Sequence, residues 1–256
     1  LRIHELFRLF RSFTFWLVVA QDAFYIILLV KTKNPLHNTV IDPTLLVKYG
    51  CLSPVDIKEK NEYWRLVTTV LVHGSFSHLF TNIVLEFFFM LGREASWNTP
   101  RVIAVFLLSA ICGCFFTLDF SKGMCSCGAS CGLFGVFGSF IAMFLILFDS
   151  LLWRHRIGAL FMVALTLVLL LFVGSQEGID FYGHIGGFGF GLFFGLTLFA
   201  HKCQSHKTKV ILILIGSVVS VIVIIAPAVV FFFDITINDI IGENNIVDGT
   251  TLNVLY

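Results

Sequence analysis

The sequence predicts an all-α membrane protein, a polytopic helical bundle of seven transmembrane helices. Three observations carry that prediction. The 256 residues are 57% hydrophobic and 13% charged, with a mean hydropathy of +0.92, whereas soluble domains hold roughly 25% charged residues. The apolar residues gather into seven runs near the length that a bilayer-crossing helix needs, about 17–25 residues. Polar and ionisable side chains inside those runs recur at helical spacing, which marks candidate functional positions, because lipid disfavours them.

The runs cover 12–30, 76–91, 102–118, 130–148, 157–174, 183–200 and 210–233. The first has no small-residue cleavage pattern and exceeds the usual apolar length of a signal peptide, so it reads as a span. Leu1 is not a methionine, which points to a trimmed N-terminus. With the N-terminus in the cytoplasm, the cytoplasmic segments hold Arg2, Arg8, Arg11, Arg93, Arg101, Arg154, Arg156, Lys202, Lys207 and Lys209. The outer lysines and arginines, apart from Lys122, all lie in one long loop that counts little in the positive-inside rule. The organisation expected is a cytoplasmic segment at 1–11, a six-helix core at 12–200, a basic loop and seventh helix at 201–233, and an outer tail at 234–256. Net charge is +1, so no nucleic-acid footprint is visible and no nucleic-acid partner is expected.

The first outer loop, 31–72, is too long for a simple connector. It carries Pro35, Pro43 and Pro54, then Glu62-Tyr63-Trp64-Arg65-Leu66. Trp and Tyr beside Arg suit the headgroup level. The loop reads as a partly membrane-embedded outer element or as an ordinary interfacial belt.

Seven cysteines do not pair evenly. Cys112, Cys114 and Cys131 fall in apolar runs and read as packing residues. Cys125-x-Cys127 lies in a loop and reads as a disulfide or half of a metal site. No second Cys or His pair stands at ligand spacing, so neither metal nor cofactor is expected.

The second run begins His73-Gly-Ser-Phe-Ser-His78 and continues to Asn82 and Glu86. His78, Asn82 and Glu86 follow i, i+4, i+8 and share one helical face. They form the wall of a wet cavity or interhelical glue. Glu86 is expected to be protonated or hydrogen-bonded. Gln21 and Asp22 in the first run have no evident partner. In the sixth run, Gly183, Gly187, Gly191 and Gly195 recur every fourth residue, with His184 on the stripe of Gly187 and Gly191. Such stripes let two helices approach backbone to backbone.

The fourth run is the other glycine-rich one, with Gly128, Gly132, Gly135 and Gly138, and it opens on Ser130. A serine there caps a helix or, given a base, becomes a nucleophile. The fourth and sixth helices run in the same direction, so Ser130 and His184 share one end of the bundle. Neutral histidine removes a serine proton near pH 7. No Asp or Glu is evidently placed to orient His184, so a dyad is expected. Free N–H groups at the helix start near Ser130, with His78 and Asn82, supply oxyanion donors. On an ideal wheel Ser130 lies off the Gly132/Gly135/Gly138 face. Either the helix start is irregular or those glycines serve another contact. The loop 175–182 reads as a mobile cap.

At these residues the chain resembles the rhomboid intramembrane serine proteases, over about residues 50–195. The matching motifs are Glu62-Tyr63-Trp64-Arg65-Leu66, His73-x4-His78-x3-Asn82, Gly92-Arg93-Glu94, Gly128-Ala129-Ser130 and Gly183-His184-x2-Gly187-x3-Gly191. The resemblance implies Ser130 as nucleophile and His184 as general base. It implies His78, Asn82 and the Ser130 N–H as the oxyanion hole. Trp64, Arg65, His73, Glu94, Gly128, Gly187 and Gly191 then serve as structural motif residues. It further implies single-span transmembrane proteins as substrates, cut near the outer face, and a place in the secretory pathway or plasma membrane with the C-terminus outside. Cys131 stands where the family has glycine, and a side chain there is expected to crowd the oxyanion hole. The rival readings are an inactive rhomboid-like protein that binds or escorts membrane clients, and a small transporter using the His78/Asn82/Glu86 face.

Overall fold

The structure, a computed structural model, describes residues 9–32, 39–121, 125–174, 178–233 and 254–255. Helix α1 spans Phe13–Lys31 and starts at Ser12, whose Oγ accepts the Phe15 N–H at 3.2 Å. The described part of the first loop folds into three short helices, α2 (Pro43–Lys48), α3 (Pro54–Lys60) and α4 (Arg65–Thr68). The first two follow the capping residues Asp42 and Ser53, with a proline in the first turn, where its missing N–H costs nothing. Pro35 lies outside the described residues.

The second pass is α5 (Phe76–Leu85), a π-helical turn at Glu86–Met90, then α6 (Leu91–Trp97). It therefore runs past the expected end at 91. Gly92 alone does not stop it; Asn98, at φ +78°, does. Asn98 then caps α7 (Thr99–Phe120) by accepting the Arg101 N–H at 3.2 Å. The remaining passes are α8 (Ser130–Leu147), α9 (Trp153–Gly174), α10 (Phe181–Phe199) and α11 (His206–Phe232). Six of these helices are by themselves long and apolar enough to cross a membrane, and α5–α6 adds the broken second pass. The result is an all-α polytopic bundle, with one short pairing of Cys125–Ser126 (β1) and Val254–Leu255 (β2).

Helix α8 sits at the centre, packed on α7 and α10, with Phe106, Leu133, Val136 and Phe199 buried around it. Helix α9 lies outside; Ile157, Phe161 and Val168 are each more than half exposed, as suits a lipid-facing helix. At the end of the bundle opposite Ser130, Glu94 ties three elements together. Its carboxylate accepts the N–H groups of Phe13 (2.7 Å) and Thr14 (2.9 Å) at the start of α1, and the Thr99 hydroxyl (2.7 Å) at the start of α7. A carboxylate at a helix N-terminus also meets the positive end of the helix dipole.

Arg65 organises the first loop. Its Nε donates to Glu62 Oε2 at 2.7 Å, and its Nη1 donates to the carbonyls of Val47 (2.6 Å) and Cys51 (2.9 Å). Its Nη2 lies 3.2 Å from Asp56 Oδ2. Trp64 is half exposed beneath the guanidinium, 4.8 Å away. Burial alone would raise the Asp56 carboxyl, but hydrogen bonds from Lys60 and Ser53 and the Arg65 charge outweigh it and hold it below its ordinary value. A group lowered on folding stabilises above its unfolded pKa, and that stability is lost as pH falls through the folded value. Asp56→Asn is therefore expected to lower the thermal midpoint at pH 7. The gap to wild type should close as pH falls below about 4. A gap that widened on acidification would overturn this account.

Candidate active site

The site is built where three helix starts converge. Helix α8 begins at Ser130, just after Gly128 at φ +120°. A side chain at Gly128 would strain that backbone and strike the His78 ring, which lies against it. Helix α10 begins after Asp180, whose Oδ1 accepts the Gly183 N–H at 2.9 Å. One turn on, His184 Nε2 lies 2.5 Å from Ser130 Oγ. The imidazole is buried, and Phe134, one turn below Ser130, packs against it at a tilt, with ring centroids 4.7 Å apart. His184 Nδ1 meets no hydrogen-bond partner among the described residues.

A backbone seam holds the two helices together. Gly187 lies on the backbone of Cys131, Gly191 on that of Gly135, and Gly195 on Ser139 and Ala142. Ser139 Oγ donates to the Gly191 carbonyl at 2.6 Å. The α8 side of the seam is thus Cys131, Gly135, Gly138 and Ser139, while Gly132 meets Phe106 of α7 instead. This accounts for Ser130 falling off the glycine face: the glycines of α8 serve two different contacts. Cys131 does not project freely into the site. Its Cβ and Sγ lie against Gly113 of α7, where the absent side chain makes room. The Cys131 side chain is thereby packed toward α7.

Helix α5 closes another side. His78 lies in its first turn, where the N-cap Ser75 Oγ accepts the His78 N–H at 3.2 Å. The buried ring of His73 packs edgewise on His78, centroids 5.0 Å apart. Asn82 is buried, and its Nδ2 donates to the His78 carbonyl at 3.0 Å, leaving one amide proton for another acceptor. Glu86 does not continue a wet wall. Gln21 of α1 donates to Glu86 Oε1 at 2.9 Å and to the Val70 carbonyl at 3.3 Å, so this end of the stripe is an interhelical contact.

Several residues here escaped sequence reasoning. Asp180 Oδ2 accepts from Ser126 Oγ and Thr117 Oγ1, both at 2.6 Å. One buried carboxylate thus joins the start of the histidine helix to α7 and to β1, the strand leading into Ser130. Burial raises the Asp180 carboxyl, opposed by the Ser126 and Thr117 hydroxyls and the Gly183 N–H. Its position as an acidic residue just ahead of an apolar run was the available signal, that of a helix N-cap. It also ties down one end of the expected cap loop: Phe181 and Tyr182 are already helical, and residues 175–177 lie outside the described ones.

Cys125 is bonded to Cys51, not to Cys127, which is buried and outside the disulfide. The bridge clamps β1 to the first loop, where Leu52 N–H donates to the Ser126 carbonyl at 2.7 Å. Cys51→Ala with Cys125→Ala is expected to lower stability by about 2–4 kcal/mol, read from unfolding in detergent. Unchanged stability, or free thiols at both positions by alkylation mass spectrometry, would count against the clamp.

Residues 60–201 match the family model described as "Rhomboid domain". Among relatives, the chain is 27% identical to "RHOMBOID-like protein 7" of Arabidopsis thaliana, over 71% of this chain and 58% of the relative. It is 27% identical to "Rhomboid-like protease 3" of Toxoplasma gondii, over 68% of this chain and 64% of the relative. It is 26% identical to "Inactive RHOMBOID-like protein 8" of Arabidopsis thaliana, over 59% of this chain and 43% of the relative. The chain thus spans about half the length of such relatives. With a family model matching more than half of its residues, and with an all-α bundle of membrane-spanning helices, the chain belongs to the rhomboid family.

Proposed function

We propose that this protein is an intramembrane serine endopeptidase that cuts transmembrane segments of other membrane proteins with a Ser130–His184 dyad. The observation that carries the reading is the 2.5 Å approach of Ser130 Oγ to His184 Nε2 at the paired ends of α8 and α10. Nε2 takes the Ser130 proton as Oγ bonds to the scissile carbonyl carbon. The proton on Nδ1 is retained throughout, and no carboxylate of the described residues meets it, so orientation comes from the Phe134 ring contact and the helix seam. The oxyanion forms near the free N–H groups at the start of α8, with His78 and the second amide proton of Asn82 as side-chain donors. Imidazolium then protonates the departing amine. Water, activated by the same nitrogen, hydrolyses the acyl-enzyme and returns Ser130 Oγ–H. No step calls for a metal or cofactor. Ser130, His184 and the disulfide share the end that the lysine and arginine distribution assigns to the outside. An oxidising compartment on that face, in the secretory pathway or at the plasma membrane, fits the disulfide.

The test is incubation of the purified chain in liposomes with single-span reporter proteins, with the cut located by mass spectrometry. Cleavage near the membrane edge on the Ser130 side is expected. Absence of cleavage across a panel of reporters, with no labelling of Ser130 by a fluorophosphonate, would turn the reading to an inactive rhomboid-like protein that holds membrane clients.

A further inference from the structure

A second site lies at the basic end of the bundle. There a cleft of about 360 Å³ opens between α6, α8 and α9. Its walls are apolar, with Phe140 and Met143 on α8 and Met162 on α9. Its polar lining is all basic: Arg93, Arg154 and His155, with no carboxylate. Arg93 enters from α6 and lies 4.8 Å over the Phe140 ring and 5.4 Å over Phe89. Its Nε is buried and meets no acceptor among the described residues. Neither Arg154 nor His155 has a side-chain hydrogen bond or ion pair within the described residues. A guanidinium held over aromatic rings with a buried donor left unsatisfied is costly unless an anion reaches it.

We propose that this cleft binds an anionic phospholipid, with the phosphate on Arg93 and Arg154 and an acyl chain along Phe140, Met143 and Met162. Charge complementarity selects the headgroup, since basic pockets between transmembrane helices suit anionic lipids and guanidinium pairs bidentately with phosphate. The apolar walls select a lipid over a free anion. The cleft borders α9, the pass with the most exposed flanks, so the lipid fills the gap between α9 and α8 and braces α9 against the bundle. The proposal does not depend on proteolysis.

Gly158 supplies an independent handle. It lines the cleft, and a Cβ built on it meets no heavy atom within 4 Å. Gly158→Leu therefore fills the cleft without disturbing the three basic residues. The experiment is native mass spectrometry and thermal unfolding of the full chain from nanodiscs of phosphatidylcholine with or without phosphatidylglycerol. Wild type is expected to retain phosphatidylglycerol selectively and to unfold at a higher temperature with it. Arg93→Gln with Arg154→Gln, and separately Gly158→Leu, should cut that retention by roughly tenfold or more, and Lys207→Gln with Lys209→Gln should leave it unchanged. Equal retention of both lipids by wild type would overturn the proposal. So would wild-type retention in Gly158→Leu, or a thermal shift from inorganic phosphate equal to that from phosphatidylglycerol.

Discussion

Replacing Ser130 with alanine is expected to lower reporter cleavage by about 10⁴-fold or more, and His184→Ala should do the same. The physical reason is that the two groups act as one unit. Serine is a weak nucleophile at neutral pH until a base takes its proton, and among the described residues the base that meets Ser130 Oγ is the His184 imidazole, 2.5 Å away. The double variant should therefore be no worse than either single one, because each substitution already removes the shared step. Fluorophosphonate labelling should vanish in Ser130→Ala and fall sharply in His184→Ala, while both variants keep a wild-type unfolding curve. Cys131, next in sequence, is a rival nucleophile, but it is buried in the contact with Gly113 of α7. Retained cleavage in Ser130→Ala, with loss in Cys131→Ala, would move the chemistry to the cysteine.

The second large effect is expected from a single methyl group far from the reacting atoms. Gly191→Ala should reduce cleavage by about 10²-fold or more, the scale that roughly 1 Å of misplacement carries. A Cβ on Gly191 would overlap the backbone of Gly135 itself, and a backbone cannot turn aside as a side chain can. Helices α8 and α10 must separate, and the separation is passed along the seam to Ser130 and His184. Overpacking of this kind also destabilises by about 1–3 kcal/mol, which thermal unfolding would register. Gly189 is the control. It lies two residues away on the same helix, and a Cβ there meets nothing within 4 Å. Gly189→Ala should leave activity and stability unchanged. Equal effects at Gly189 and Gly191 would mean that helix propensity or lipid contact, not the seam, governs these glycines.

The lengths of the apolar runs and the glycine periodicity carried the bundle and its passes directly. Each is a local property: a helix crossing lipid must satisfy its own backbone and must therefore be long, apolar and nearly continuous. The same locality put Ser130 and His184 at the starts of their helices, because connectivity alone makes α8 and α10 run in the same direction. Helical spacing named His78 and Asn82, and the family resemblance added Glu94 and Arg65, as residues to examine. Which groups meet which was not legible, because partners separated by many residues are chosen by packing. Cys125 joins Cys51 across 74 residues rather than its neighbour Cys127. Glu86 is met by Gln21 across 65 residues. Asp180, an unremarked acidic residue before a helix, joins α7, β1 and α10 through two hydroxyls and one N–H. The glycines of α8 divide between two neighbours because a helix packed on both sides must show a small residue to each. Cys131 occupies a position where family glycine was expected because Gly113, eighteen residues earlier on another helix, leaves it the room. The one-dimensional pattern thus determined the spans and the two helix starts; three-dimensional packing alone decided the pairings, since only close approach in the folded bundle settles which buried polar or small group meets its complement.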